Sequence, residues 1–440
     1  MEQGIFNSTY QSLIESFEKD HLPERSFEDE TLLAKRAAAF QVFSRKGFPS
    51  IKDEEWRFTN LNRILKQDFS LRPPSISFAK AEESIAGLDA CRLVLINGVL
   101  AIEQSDVLPE GLIFLDTQAA LANPSYSQLL GSIAVDDNNA MLAFNTAFFK
   151  NFYVLHVKAK KLIEKPIHLI HKFSEAGSPS IIPYRLLVIA EELSESTLIE
   201  TFHSDGQASV LASYVSEVQV AQSAVLHTHL INAAAEDLNL IHHREVEQFK
   251  TSVYNNSNLA LGNAAFIRNN FNCRLKGSVT ETNLLGSYIT NGTQHVDNHT
   301  VVDHQMPNSN SMELYKGIMM DRSHGVFNGK IFVRLDAQKT NAFQQNNNIL
   351  LSDQATINSK PQLEIFADDV KCSHGSTVGQ IDEQALFYLK TRGISEERAR
   401  KMLIEAFVLD VHSRIPIKAL QEYVLQLLQA KLDTDSLVTA

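Results

Sequence analysis

A chain of 440 residues can bury one large core, or two or three smaller ones. Its 40 Lys and Arg stand against 52 Asp and Glu, a formal net charge of −12, which argues against nucleic acid and against an anionic membrane surface as partners. Three cysteines, Cys91, Cys273 and Cys372, are odd in number and far apart, so no disulfide framework is implied and a reducing cytoplasm fits best.

The N-terminus, MEQGIFNSTYQSLIESFEKD, lacks the basic start and apolar core of a secretory signal and is too acidic for a typical transit peptide. Tyr10, Leu13, Ile14 and Phe17 fall at i, i+3, i+4 and i+7, which predicts a helix. A second is expected over 29–46, with Leu33, Ala37 and Phe40 on one face and Gly47 as the stop. Trp56 lies just beyond, and the Pro73–Pro74 pair breaks the pattern. RLVLINGVLAI (Arg92 to Ile102) places two apolar runs around Asn97–Gly98, a type I′ hairpin signal. Residues 1–151 therefore read as a helical and mixed region.

Residues 152–379 read as strands. Apolar residues alternate at Ile331 and Val333, Ile349 and Leu351, and Leu363 and Ile365, with Asn328–Gly329 and Asn346–Asn347–Asn348 expected as turns. No proline occurs between Pro183 and Pro307, so this stretch can pair on both edges. A barrel, a sandwich and a parallel β-helix all fit. Stacked Asn side chains at turns favour the last. His227 and His229 would share a strand face, and His242 and His243 would point to opposite faces. Asp297, His299, Asp303 and His304 form a mixed cluster of borderline-metal ligands.

The segment ADDVKCSHGSTVG (Ala367 to Gly379) closes the β region. Cys372 and His374 stand at i and i+2, so thiol and imidazole could approach one metal ion together. Gly375 and Gly379 are expected to turn the chain there. Read singly, the Cys is a small buried hydrophobe and the His a hydrogen-bonded loop residue. Residues 380–440 return to helix: Asp382 caps one ended by Gly393, and Ser395 caps a second with Ala399, Leu403, Ala406 and Phe407 inward. Pro416 starts a third, with Ile417, Leu420, Val424 and Leu427 inward.

No GxxxxGK[ST] phosphate loop occurs; the stretch from Gly325 to Lys330 has the wrong spacing. No CxxC, HExxH or GxSxG is present either, which leaves a zinc protease or nucleophilic hydrolase without support. Positive signals come from longer blocks: VDNHTVVDH (Val296 to His304), ELYKGIMMDRSHGVFNGKIFVR (Glu313 to Arg334), DAQKTNAFQQNNNILLSD (Asp336 to Asp353) and the run from Lys360 to Phe407. Together they resemble the SufB/SufD family of the bacterial SufBCD iron–sulfur cluster assembly system, on its SufD side. The likeness is dense from about Val296 to Phe407 and weaker before Asn255, although DEEWRFTN (Asp53 to Asn60) looks like the family's short N-terminal motif.

The resemblance implies a right-handed parallel β-helix core and a non-enzymatic scaffold role in iron–sulfur assembly, with help in iron acquisition. It implies that His374 is a ligand to a transient cluster shared with a cysteine of a SufB-like paralogue, with Cys372 in support. It further implies docking of a SufC-like ABC ATPase on the C-terminal helices, and a homodimer when the paralogue is absent. A flavin in the assembled complex stays open. SufB-like chains carry more cysteines, and the surroundings of Cys273, NNFNCRLKG, do not resemble their sulfur acceptor. Cys273 and Cys91 are read as structural. The rival is a β-helix metal-dependent enzyme built on His299 and His304.

Overall fold

The computed structural model describes residues 4–19, 30–71, 84–135, 138–174, 177–205 and 208–433. The Pro73–Pro74 break falls outside them. Between Asn151 and Gly379 the chain is a succession of strands that alternate between two ten-stranded sheets. Each strand pairs in parallel with the next but one: Val225 stands beside Glu195 before it and Val253 after it. Each turn thus advances the chain by about 30 residues, and about eight turns stack into a parallel β-solenoid. The β-helix core with helical ends expected from the sequence is what the structure shows.

One corner of the solenoid explains why the repeat is hard to read. Leu193, Ser223, Thr251, Val279, Asn308 and Lys339 adopt left-handed backbone, with φ between 57° and 61°. They occupy the same corner of successive turns. Their N–H groups donate to the next corner, as from Thr251 to Ser278 O at 3.0 Å and from Asn308 to Gln338 O at 2.9 Å. This ladder holds residues such as Val279 in a conformation that glycine would adopt more readily. None of these six left-handed positions is a glycine, so the strongest sequence signal for such a turn is missing there.

Several expected turns are strand instead. Asn328–Gly329 lies inside His324–Val333, and Asn346–Asn348 inside Asn341–Leu350. Their side chains explain this. Asn346 and Asn348 point into the solenoid, where Tyr288 Oη donates to Asn348 Oδ1 at 2.6 Å and Asn348 Nδ2 to Asn346 Oδ1 at 2.7 Å. Gly375 and Gly379 are likewise extended, within Lys371–Gly379. The Asn97–Gly98 hairpin is present, joining Cys91–Ile96 to Val99–Leu100, with φ of 50° and 75°.

The helices flank the solenoid. Ser8–Lys19 buries Tyr10, Leu13 and Phe17. Glu30–Lys46 buries Leu32, Arg36, Ala39, Phe40 and Phe43, one step round from the expected face, and Ala37 is exposed. The reason is Arg36, whose Nη1 donates to Thr146 O and Ala147 O at 3.1 and 3.2 Å while its guanidinium lies over Phe149. At the C-terminus, Glu383–Thr391 and Glu396–His412 are capped by Asp382 and Ser395 as expected. The inward face of the second is Ala399, Ile404, Val408 and Val411; Ala406 is exposed. With Leu420, Val424 and Leu428 of Lys418–Leu432, these residues share one core with Ile231, Leu259 and Ile318 of the solenoid. No helix among the described residues is long and apolar enough to cross a membrane.

The two ends of the solenoid differ. At the first turn, Leu112–Leu115 adds to its sheet in antiparallel fashion. At the last, Thr356–Ile365 and Lys371–Gly379 each pair on one side only, leaving an unpaired edge on both sheets.

Candidate functional site at the open end

Cys372 and His374 lie on this unpaired strand, in register with Ala342 and Gln344 of the turn beneath. Ala342, Gln344, Asn346 and Asn348 are buried and Phe343 and Gln345 exposed, so alternate positions of that strand face the solenoid interior. Cys372, His374 and Ser376 stack over the interior positions. The two candidate ligands therefore share one face. With no further turn above them, His374 is exposed and Cys372 half-buried, packed against the end of the core. That burial raises the Cys372 thiol above its ordinary range.

Beneath the pair the interior is polar. Gln344 Nε2 donates to Glu313 Oε2 at 2.7 Å, and Ser359 Oγ bonds Asn346 Oδ1 and Ser376 Oγ, both at 2.8 Å. Glycines make room for these side chains: a Cβ on Gly329 would lie 2.4 Å from Gln344 Nε2, and one on Gly317 2.5 Å from Asn348 Oδ1. Burial pushes the Glu313 carboxyl up to about 7, against the hydrogen bond from Gln344. From its ordinary 4.5 to about 7 the folded protein therefore holds a proton that the unfolded chain has lost. Stability falls as pH rises through that window, by up to about 3 kcal/mol from this group. Glu313→Gln should match the parent near pH ~4 and exceed it above pH ~7 in denaturant unfolding. Glu245, also pushed up to about 7, cancels in the comparison. Equal stability of variant and parent at both pH values would contradict the assignment.

Deeper in, Glu200 and Arg244 form a fully buried ion pair. Tyr214 Oη donates to Glu200 Oε1 at 2.6 Å, and Arg244 Nε to Ser216 Oγ at 2.7 Å. Burial opposes the charge on Glu200, but Arg244 and His171 hold it below the usual carboxylate range. Cys273 is fully buried nearby, and its thiol is pushed far up by burial. Cys91 is buried in the first turn, its Sγ 3.8 Å from Val107 O.

The second cluster does not assemble. His299 faces outward, with Nε2 3.1 Å from Asp297 Oδ1 and Nδ1 3.2 Å from Glu55 Oε2. His304 faces inward, its Nε2 2.9 Å from Ser311 Oγ. They stand five positions apart, an odd offset in a strand, so the imidazoles lie on opposite faces and cannot share an ion. Asp303 is engaged with Arg334. His227 and His229 do share a face, and each hydrogen-bonds a neighbouring turn, at Asn255 and Ser257. His242 stacks on Tyr214 inside, while His243 meets Asn139 outside. Among the described residues no three His, Cys, Asp or Glu side chains converge as a metal site.

The DEEWRFTN segment proves to be a strap across the outer face of the last turns. Trp56 lies under Arg268, Thr59 bonds His295 and Asp297, Glu55 reaches His299 and Lys330, and Glu54 reaches Lys360 on the terminal strand. Hydrogen bonding from His299, with Lys330, lowers Glu55 to about 2 in spite of burial.

Fold and site together define a helix-flanked β-solenoid that presents two metal-ligating residue types on an unfinished edge. The chain belongs to the SufBD family of iron–sulfur cluster assembly proteins. Residues 173–407 match the SufBD core domain of the SUF system for FeS cluster assembly, and residues 6–169 the SufBD protein N-terminal region. It is 32% identical over 409 residues to an iron–sulfur cluster assembly SufBD family protein of Synechocystis, covering 90% of each chain. It is 30% identical over 391 residues to the iron–sulfur cluster assembly protein SufD of Escherichia coli, covering 88% of this chain and 89% of that one.

Proposed function

We propose that the chain is a scaffold subunit that supplies part of a ligand set to a nascent iron–sulfur cluster, with a SufB-like partner completing it. The carrying observation is the placement of His374 and Cys372 on an edge where, among the described residues, no third ligand converges with them. Thiolate and imidazole suit iron, and an incomplete set on one subunit keeps the cargo labile enough to pass on. The unpaired strands supply the docking surface, because a partner's strands can continue both sheets. A second copy of this chain could occupy the same edge when the paralogue is absent. Co-purification from the native host tests this. A paralogous, cysteine-richer subunit and an ABC ATPase should accompany the chain, and their absence would count against the reading.

The ATPase is placed on the C-terminal helices. Phe387, Tyr388 and Leu409 are each more than half exposed there, apart from the residues that pack on the solenoid. Phe387→Glu with Leu409→Glu is expected to abolish ATPase co-purification while leaving the circular dichroism spectrum and the SufB-like contact unchanged. Retention of the ATPase by this double variant would move the contact elsewhere.

A further inference from the structure

We propose that Gln344, itself held by Glu313, is the acceptor that sets the orientation and tautomer of the His374 imidazole. The inference rests on the ligand reading above. A ring nitrogen that binds metal is fixed when the other ring N–H donates to a carbonyl or carboxylate. Gln344 is in register directly beneath His374, and neighbouring strands stand about 4.8 Å apart, so its side chain lies in the layer directly below that of His374.

Two restraints hold that amide. Its Nε2 donates to Glu313 Oε2 at 2.7 Å, and the side chain reaches over Gly329, where no Cβ obstructs it. In that orientation the amide N–H faces the Glu313 carboxyl and the amide oxygen is turned away from it. Gln344 Oε1 is accordingly buried with no hydrogen-bond partner. A buried, unsatisfied amide oxygen costs about 1–3 kcal/mol, a cost that a donor from above removes. His374 is exposed on an edge over which no described strand stacks, so its side-chain torsions are free to bring a ring N–H to that oxygen. Glu313, Gln344 and His374 thus form a column of three successive turns, from a buried carboxyl to the open end.

The test uses the full chain labelled with 15N-histidine and side-chain 15N–1H correlation. The His374 signal is assigned by its loss in His374→Ala. Wild type should show one dominant His374 tautomer. Gln344→Leu should return it to the mixture of a free imidazole, and Gln344→Glu, which keeps an acceptor, should retain a dominant form. In the assembled complex, Gln344→Leu should retain iron about tenfold to hundredfold more weakly, with Gln344→Glu restoring it. A free-imidazole mixture in the wild type, or a tautomer unchanged in Gln344→Leu, overturns the proposal. The wild-type spectrum decides even where a variant fails to fold. The two readings fail separately: unimpaired assembly with His374→Ala removes the ligand role, whereas the spectra alone remove the positioning role.

Discussion

His374→Ala is expected to abolish growth in a host that depends on this protein for iron–sulfur assembly, with the complex still formed. The side chain is exposed and makes no packing contribution to the core, so its loss costs the fold little. Its chemistry is what would be lost. An imidazole ring nitrogen is available to a metal at neutral pH as a residue type, whereas a thiol must first release a proton. The Cys372 thiol is half-buried and raised further, which would make it the weaker of the two proposed ligands. Cys372→Ser should therefore slow growth without stopping it, and Cys273→Ser, inside the core, should act on stability alone. The measurement is complementation beside pull-down of the complex. Full growth of His374→Ala with an intact complex would remove the ligand role.

Arg244→Met is expected to have the largest effect on stability, about 3–5 kcal/mol. Arg244 and Glu200 are both fully buried inside the solenoid. Removing the guanidinium leaves the carboxylate with the Tyr214 hydroxyl and the His171 ring for company, and strips Ser216 Oγ of its Nε–H donor. The neutral pair Arg244→Met with Glu200→Gln should be much milder, because no isolated charge remains. Denaturant unfolding of the single and double variants closes the cycle. A loss under ~1 kcal/mol for Arg244→Met alone would show that the pair is not load-coupled in this way.

Helix positions were legible from apolar spacing and caps: Asp382, Ser395 and Gly47 act where local chemistry places them. Faces were less so, because buried Arg36 and Lys431 stand where patterning puts solvent. Lys431 is satisfied by Gly262 O, Asn263 Oδ1 and Gln294 Oε1 on the solenoid, groups that no helix period reveals. The solenoid itself came from the family resemblance, since periodicity left three architectures open. Two physical reasons account for that. Its corners use ordinary residues in left-handed backbone, and its interior holds His171, Glu200, Arg244 and Glu313 at positions where alternation expects apolar side chains. That Cys372 and His374 share a face followed from their spacing. That theirs is the last of the described strands in its sheet depends on where pairing ends. The separation of His299 from His304 was readable, because an odd spacing in a strand divides the faces.

The central claim is that this chain carries only part of a cluster site. Anaerobic reconstitution with iron and sulfide, followed by gel filtration, visible absorption and iron counting, tests it most directly on the isolated chain and on the chain with its SufB-like partner. The isolated chain should emerge without stoichiometric cluster and the pair should retain it, dependent on His374. A stoichiometric cluster that survives filtration on the isolated chain would contradict the shared site.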